Sequence, residues 1–277
     1  MSTLVDRSRQ ISPRDLRSWG SIARHVVLAV FAVITLFPFI WILLLSVKSL
    51  PESNQNEIWP QTFDFSHYFY SVQSFTTLPQ NYLNSVIVTA GTIVITTVCA
   101  VLAGYAMVFL RPPGIALVFT LLVASMFFPT RITAVIAIFE MQKDMGLLNV
   151  PAGLIFPYVS LALALSVFIM RGMFLSVSHE IYDAARLDGA GPLRILLSIL
   201  LPMVTNGIVV VIILTFGTAW GEYVLAKTLN TKDVTQTLPV ALSTGAGGMV
   251  AWSWPRLAAV YIMVVLPGLI AFAIAQR

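Results

Sequence analysis

The chain has 277 residues, of which 58% are hydrophobic and only 10% charged, with a formal net charge of +4 and a mean hydropathy of +0.88. Soluble domains are about 45–50% apolar and about 25% charged. That excludes an ordinary soluble enzyme, a disordered chain and a free nucleic-acid-binding domain, because too little charge is present to cover a water-soluble globule. Lipid is the natural solvent, and the chain reads as an all-α polytopic membrane protein. The isoelectric point near 9.4 does not imply a nucleic-acid partner. The basic residues are scattered at helix ends, where membrane topology places them.

A helix needs about 20 apolar residues to cross about 30 Å of hydrocarbon. In chain order, the charge-free apolar runs predict six spans: Val26–Val47, Ser85–Leu110, Pro112–Thr130, a fourth at 152–170, Met203–Trp220 and Leu257–Gln276. A shorter piece, Ile132–Phe139, is too short to span and reads as a re-entrant or interfacial turn. Residues 1–25 form a tail carrying Arg7, Arg9, Arg14, Arg17 and Arg24 against Asp6 and Asp15. The positive-inside rule makes this tail cytoplasmic, and six spans return the C-terminus to the same side. The segments then assigned to the cytoplasm hold ten basic and five acidic residues, and the outer ones six basic and seven acidic. The first apolar run is too long for a signal-peptide core and no small-x-small cleavage site closes it, so it reads as a signal anchor.

The first outer loop carries Trp59, Phe63, Phe65, Tyr68, Phe69 and Tyr70. Two readings fit: aromatics lying at headgroup level, or a docking surface for an extracytoplasmic partner. The last outer loop, Gly221–Arg256, holds Gly245, Gly247 and Gly248 near its tip. Glycine frees the backbone for tight turns there, so the tip is either a mobile element or a connector. Cys99 lies in an apolar run and reads as a small packing residue.

Several chemistries are missing. Lysines occur at 48, 143, 227 and 232 only, and none belongs to a G-x-x-x-x-G-K-[ST] phosphate loop. His25, His67 and His179 lack ligand spacing with one another or with Cys99, so no metal site is expected. Ionisable residues inside the spans are nearly absent, and the candidates Arg131, Glu140 and Glu222 lie at edges. Proton- or sodium-coupled carriers usually hold such residues at membrane depth. Any active transport therefore draws its energy from another subunit. Arg131 and Glu140 flank the break at Pro129, where they face the pore or snorkel at the interface.

The informative segment lies between spans 4 and 5, in the loop 171–202. Ser178 is a good N-cap, and Glu180 suits a positive helix start. Gly189 fits the left-handed position that ends a helix, and Pro192 suits the first position of the next. Ala184 and Ala185 are expected to leave a low, smooth patch that another helix can approach. Asp183 and Arg186 are spaced to pair locally or to meet charges on a partner.

This segment resembles the cytoplasmic coupling motif of binding-protein-dependent ABC importer permeases: E-A-A, three residues, G, nine residues, I-x-L-P. Here it reads Asp183-Ala184-Ala185, Gly189, then Ile199-Leu200-Leu201-Pro202, with aspartate in place of the usual glutamate. The likeness extends over nearly the whole chain. Asn81-Tyr82-Leu83-Asn84-Ser85, Gly146-Leu147-Leu148, Gly153-Leu154-Ile155-Phe156-Pro157-Tyr158 and Thr237-Leu238-Pro239-Val240 are similar to the carbohydrate-uptake, maltose permease-like branch. Trp220-Gly221-Glu222-Tyr223 resembles that branch's W-N-E-F, with Gly221 replacing Asn. Relatives continue past the last span in a basic, glycine-containing tail, whereas this sequence stops at Arg277.

The resemblance implies a six-span permease domain over 26–277 in the cell membrane. Its implied partners are a second homologous permease, two ATP-binding subunits and an extracytoplasmic solute-binding protein. This chain binds no cofactor; ATP and Mg belong to the partner ATPase. Asp183, Ala184, Ala185 and Gly189 form the docking knob, with Arg186 and Asp188 holding the loop and Pro202 fixing its return into the membrane. Trp220, Glu222 and Tyr223, with Arg131 and Glu140, are candidates for the pathway or gate. Gly245, Gly247 and Gly248 are candidates for contact with the binding protein. The motifs favour a carbohydrate over a glycerol phosphoester, polyamine or peptide. The punctuated loop and the missing intramembrane charges weigh against a channel or secondary carrier.

Overall fold

The computed structural model describes residues 13–55, 57–74, 76–127, 134–247 and 253–275. They are helical with short connections, and no strand occurs among the described residues. The helices are α1 Pro13–Ser46, α2 Ser66–Ser74, α3 Leu78–Tyr105, α4 Ile115–Ser125, α5 Val135–Asp144, α6 Ile155–Leu175, α7 His179–Leu187, α8 Pro192–Ile195, α9 Thr205–Trp220, α10 Val224–Leu229, α11 Leu238–Gly247 and α12 Trp254–Ala275. Among the described residues, three continuous helical stretches are long and apolar enough to cross a membrane: Arg24–Ser46, Leu78–Leu110 and Pro151–Leu175. A fourth, Pro192–Met203 with Thr205–Trp220, qualifies as a pair bent by 80°.

The chain divides into two compact units. The first holds residues 1–67 and 253–262. Along α1, Phe31, Val33 and Ile34 are each about two-thirds exposed, as lipid-facing side chains are. Below α1 the chain folds back around Lys48, which is buried. Its ammonium donates to the Glu57 carbonyl and lies 5.5 Å from the Trp41 ring centroid. The Asp64 N–H donates to the Val47 carbonyl, and the Asp64 carboxylate accepts from the Ser66 N–H at the head of α2. Hydrogen bonds from Ser66 hold that carboxyl below its usual range.

The second unit holds residues 68–252 and 263–277. Its centre is the pair α3 and α6, with α9 packed on both. Alanine and glycine let the first two approach closely: a Cβ at Gly104 would lie 3.0 Å from backbone atoms of Met170 and Arg171. Around this contact Ala100, Val101, Tyr105, Val167, Met170 and Phe174 form a buried cluster with Leu196, Leu200 and Val211.

Helix boundaries depart from the apolar runs in instructive ways. The second run was expected to start at Ser85, but α3 starts at Leu78, with Pro79 in its first turn. Asn81, Asn84 and Ser85 are therefore helical and buried, which polar residues tolerate when hydrogen-bonded. At the other end α3 continues through a π turn, Ala106–Leu110, closed by the Arg111 N–H to the Ala106 carbonyl at 2.8 Å. Within the third run, α4 covers 11 residues, about 16 Å of rise, which is less than a bilayer needs. The short piece after Pro129 contributes to α5. Arg131 lies outside the described residues.

Candidate functional site

The 171–202 loop folds as two helices joined by a sharp turn. The Ser178 hydroxyl accepts the Glu180 N–H at 3.2 Å and caps α7. The C-terminus closes in a Schellman turn. Gly189 takes φ +79°, its N–H donates to the Arg186 carbonyl, and the Ala190 N–H donates to the Ala185 carbonyl, both at 3.0 Å. Pro192 then opens α8, which runs on through a second π turn, Leu196–Leu200, to Pro202. The 80° bend follows at Val204, two residues past Pro202.

The alanine pair is split by the helix. Ala185 and Tyr182 are buried, whereas Ala184, Asp183, Arg186, Leu187, Asp188 and Gly189 are exposed. The expected two-alanine patch is therefore not formed. Residues three apart share a helical face, so Tyr182 and Ala185 make the inward one. The exposed face holds Asp183 and Ala184 beside Leu187, which is 90% exposed. Asp183 and Arg186 do not pair. The Arg186 guanidinium lies over the Tyr182 ring at 5.8 Å, and no described residue bonds the Asp183 carboxylate.

The inward face is fastened to the end of α3. Phe109 packs 4.9 Å from Tyr182 and 5.0 Å from the His179 ring. Phe174 closes the cluster from α6, edge-on to Phe109 at 6.2 Å. The Tyr105 hydroxyl donates to the Pro192 carbonyl at 3.0 Å. Arg111 follows the π turn in a left-handed conformation, and its guanidinium nitrogen donates to His179 Nε2 at 2.9 Å. In the sequence these residues carry no motif, and His179 stands out only as a histidine without metal-ligand spacing. The one available signal was the aromatic pair Tyr105 and Phe109 at i, i+4 spacing.

A second polar cluster lies at the opposite end of α3. The Asn81 amide donates to the carbonyls of Asp233 (2.6 Å) and Gln236 (2.9 Å). The Asn84 amide donates to those of Val234 (2.9 Å) and Gln236 (3.1 Å). The Ser85 hydroxyl accepts the Leu238 N–H at 2.7 Å. Two motifs that the sequence shows 150 residues apart thus bind each other. Asn149, at φ +59°, extends the cluster by accepting the N–H groups of Thr231 and Lys232.

The remaining expected site residues disperse. Glu140 is exposed on α5 and pairs with Lys143 at 3.3 Å. Trp220 donates to the Val264 carbonyl at 3.2 Å and stacks on Phe216. Tyr223 is 40% exposed, and its hydroxyl bonds that of Ser243. Gly245 and Gly247 lie within α11 rather than in a free turn, and Gly248 is outside the described residues.

Glu222 is buried, and its carboxylate is fully engaged. It accepts from the Tyr158 hydroxyl (2.9 Å) and from the N–H groups of Leu225 and Ala226 (both 3.1 Å). A side chain so occupied holds the start of α10 against α6. A buried donor left without its acceptor costs about 1–3 kcal/mol. Glu222→Ala strands three donors, whereas Tyr158→Phe removes one. The unfolding midpoint in detergent should fall further in Glu222→Ala than in Tyr158→Phe; equal midpoints would refute this bracing role.

Residues 96–277 match the family described as "Binding-protein-dependent transport system inner membrane component". The chain is 29% identical over 255 residues to the diacetylchitobiose uptake system permease protein of Streptomyces coelicolor, covering 91% of this chain and 84% of that protein. It is 30% identical over 262 residues to the sulfoquinovosyl glycerol transport system permease protein of Agrobacterium fabrum, covering 93% and 90%. The trehalose transport system permease protein of Mycobacterium tuberculosis is 29% identical, over 87% and 88%. In fold it matches a chain in the crystal structure of a bacterial ABC transporter involved in the import of the acidic polysaccharide alginate. The TM-score is 0.80, with 24% identity and 99% coverage of both chains. With a family match over most of its length and full-length permease relatives, this chain belongs to the binding-protein-dependent ABC importer permeases, as a membrane-embedded transport subunit.

Proposed function

We propose that this chain is one of two six-span permeases that together form the pore of an ATP-driven sugar importer, with the 171–202 loop facing the cytoplasm. The observation that carries the coupling role is the division of α7 into two faces. One face is locked into the bundle through Tyr182, Ala185 and His179. The other presents Asp183, Ala184 and Leu187 with no partner among the described residues. A charge and a large apolar side chain held on a rigid knob suit a complementary groove on another protein. The partner proposed for it is an ATP-binding subunit, two copies of which bind ATP and Mg. This chain itself performs no catalysis.

The sugar assignment rests on the relatives, whose names specify diacetylchitobiose, sulfoquinovosyl glycerol and trehalose systems. The solute arrives from a binding protein at the face opposite the coupling loop. ATP shifts the equilibrium because it binds the closed ATPase dimer more tightly. Closure displaces the two knobs, and the helices attached to them move as units, exposing the pore outward. Hydrolysis returns it. The arginine-rich tail and the positive-inside rule support cytoplasmic termini.

Purification in a mild detergent, with mass spectrometry of what co-purifies, tests this reading. A second permease and a Walker-type ATPase are expected, with ATP hydrolysis that rises when the binding protein is added. Recovery of the chain alone, under conditions that preserve related complexes, would overturn the proposal.

A further inference from the structure

We infer that α3 is the rod through which the coupling helix and the 233–247 segment report to each other, and that Asn81 and Asn84 are the positioning residues at its far end. The inference rests on the coupling role proposed for α7 and goes beyond it. Near its end, α3 is joined to α7 and α8 by the Arg111–His179 and Tyr105–Pro192 hydrogen bonds and by the Phe109 ring. At its start, all four amide N–H groups of Asn81 and Asn84 are spent on carbonyls of Asp233, Val234 and Gln236. The Ser85 hydroxyl takes the Leu238 N–H, which fixes the first residue of α11 as well.

Between the two clamps the helix is unbroken, and about 36 Å of rise separates Asn81 from Tyr105. Its buried face, from Val88 through Thr92, Thr96 and Ala100 to Gly104, packs against neighbouring helices over that length. A packed, continuous helix moves as a unit instead of bending. Of the helices that flank the loop, α9 is reached through the 80° bend at Val204, and α6 packs little on residues 233–247, where α3 packs on both the 233–235 turn and α11. A displacement imposed on α7 is therefore delivered to the head of α11 through the asparagine clasp.

The test uses the assembled importer in lipid vesicles, in a Cys99→Ala background carrying Ser243→Cys. Ser243 is exposed on α11. The probe is a membrane-impermeant maleimide added outside, with and without ATP and vanadate. In the parent protein the labelling rate should differ between the two conditions. Asn81→Asp with Asn84→Asp keeps side-chain size but sets carboxylate oxygens against carbonyls. That variant should retain assembly and ATP hydrolysis yet lose the difference at position 243.

A merely structural role for the clasp would reduce assembly or hydrolysis first. Should the double variant fail to insert, Ser85→Ala removes one clasp bond and should shrink the same difference. Persistence of the parental difference in whichever variant assembles would overturn the inference, as would a parent whose labelling ignores nucleotide. Failure of the parent to retain its ATPase is a different result, visible before any clasp variant is made, and would remove the coupling role itself.

Discussion

Replacing Gly104 by valine should prevent α3 and α6 from closing, and the variant should yield little folded protein. A Cβ at this position meets the Met170 carbonyl carbon, the Met170 Cβ and the Arg171 nitrogen, all at 3.0 Å. Two of these are backbone atoms of a continuous helix and cannot rotate aside. Either the helices separate or the strain stays. Overpacking a core costs about 1–3 kcal/mol when side chains can adjust, and here the obstacle is main chain. Separation would also open the cluster that holds Tyr105 and Phe174, the aromatic seat of α7. Gel filtration in mild detergent and the unfolding midpoint measure the effect. Leu102→Val, two residues away on another face of α3 and half exposed, is the control and should be near neutral. A Gly104→Val protein as stable as that control would refute the close-approach argument.

Gly189→Leu should leave the chain inserted and folded but abolish its grip on the ATPase. The left-handed backbone that the sequence predicts at Gly189 is the obstacle, and crowding among the described residues is not. Gly189 has φ +79°, yet a Cβ would meet nothing within 4 Å. A left-handed L-residue costs about 1–2 kcal/mol, which loosens the Schellman turn and frees the link between α7 and α8. The added side chain also projects from the exposed side of the turn, where the partner is proposed to sit. Asn tolerates left-handed φ, so Gly189→Asn should keep the turn. Co-purification of the ATPase and ATP-dependent uptake provide the readouts. Loss in Gly189→Leu with retention in Gly189→Asn assigns the effect to backbone conformation. Loss in both assigns it to the contact surface, and retention in both would remove Gly189 from the coupling knob.

The 171–202 loop was legible because its information is local. Capping, left-handed glycine and N-terminal proline act within a turn of chain, and Ser178, Gly189 and Pro192 do in the structure what their types dictate. Composition likewise fixed the solvent, since 58% apolar residues leave no other. Helix ends were less legible. Apolar runs locate hydrocarbon, whereas α3 begins seven residues before its run because Asn81, Asn84 and Ser85 find partners 150 residues away.

The facing of side chains was not legible at all. Ala184 and Ala185 are chemically identical neighbours, and only the docking of α7 on Phe109 decided which of them is buried. Glu222 likewise reads as an edge charge until α10 turns back and its amides, with Tyr158, take up the carboxylate. The sequence by itself determined the membrane class and the punctuation of the 171–202 loop, because those follow from residue chemistry over a few positions. The tertiary structure alone decided what the knob is fastened to and what α3 clasps at its far end. Those are contacts between distant segments, and their free energy exists only once the chain has brought the two surfaces together.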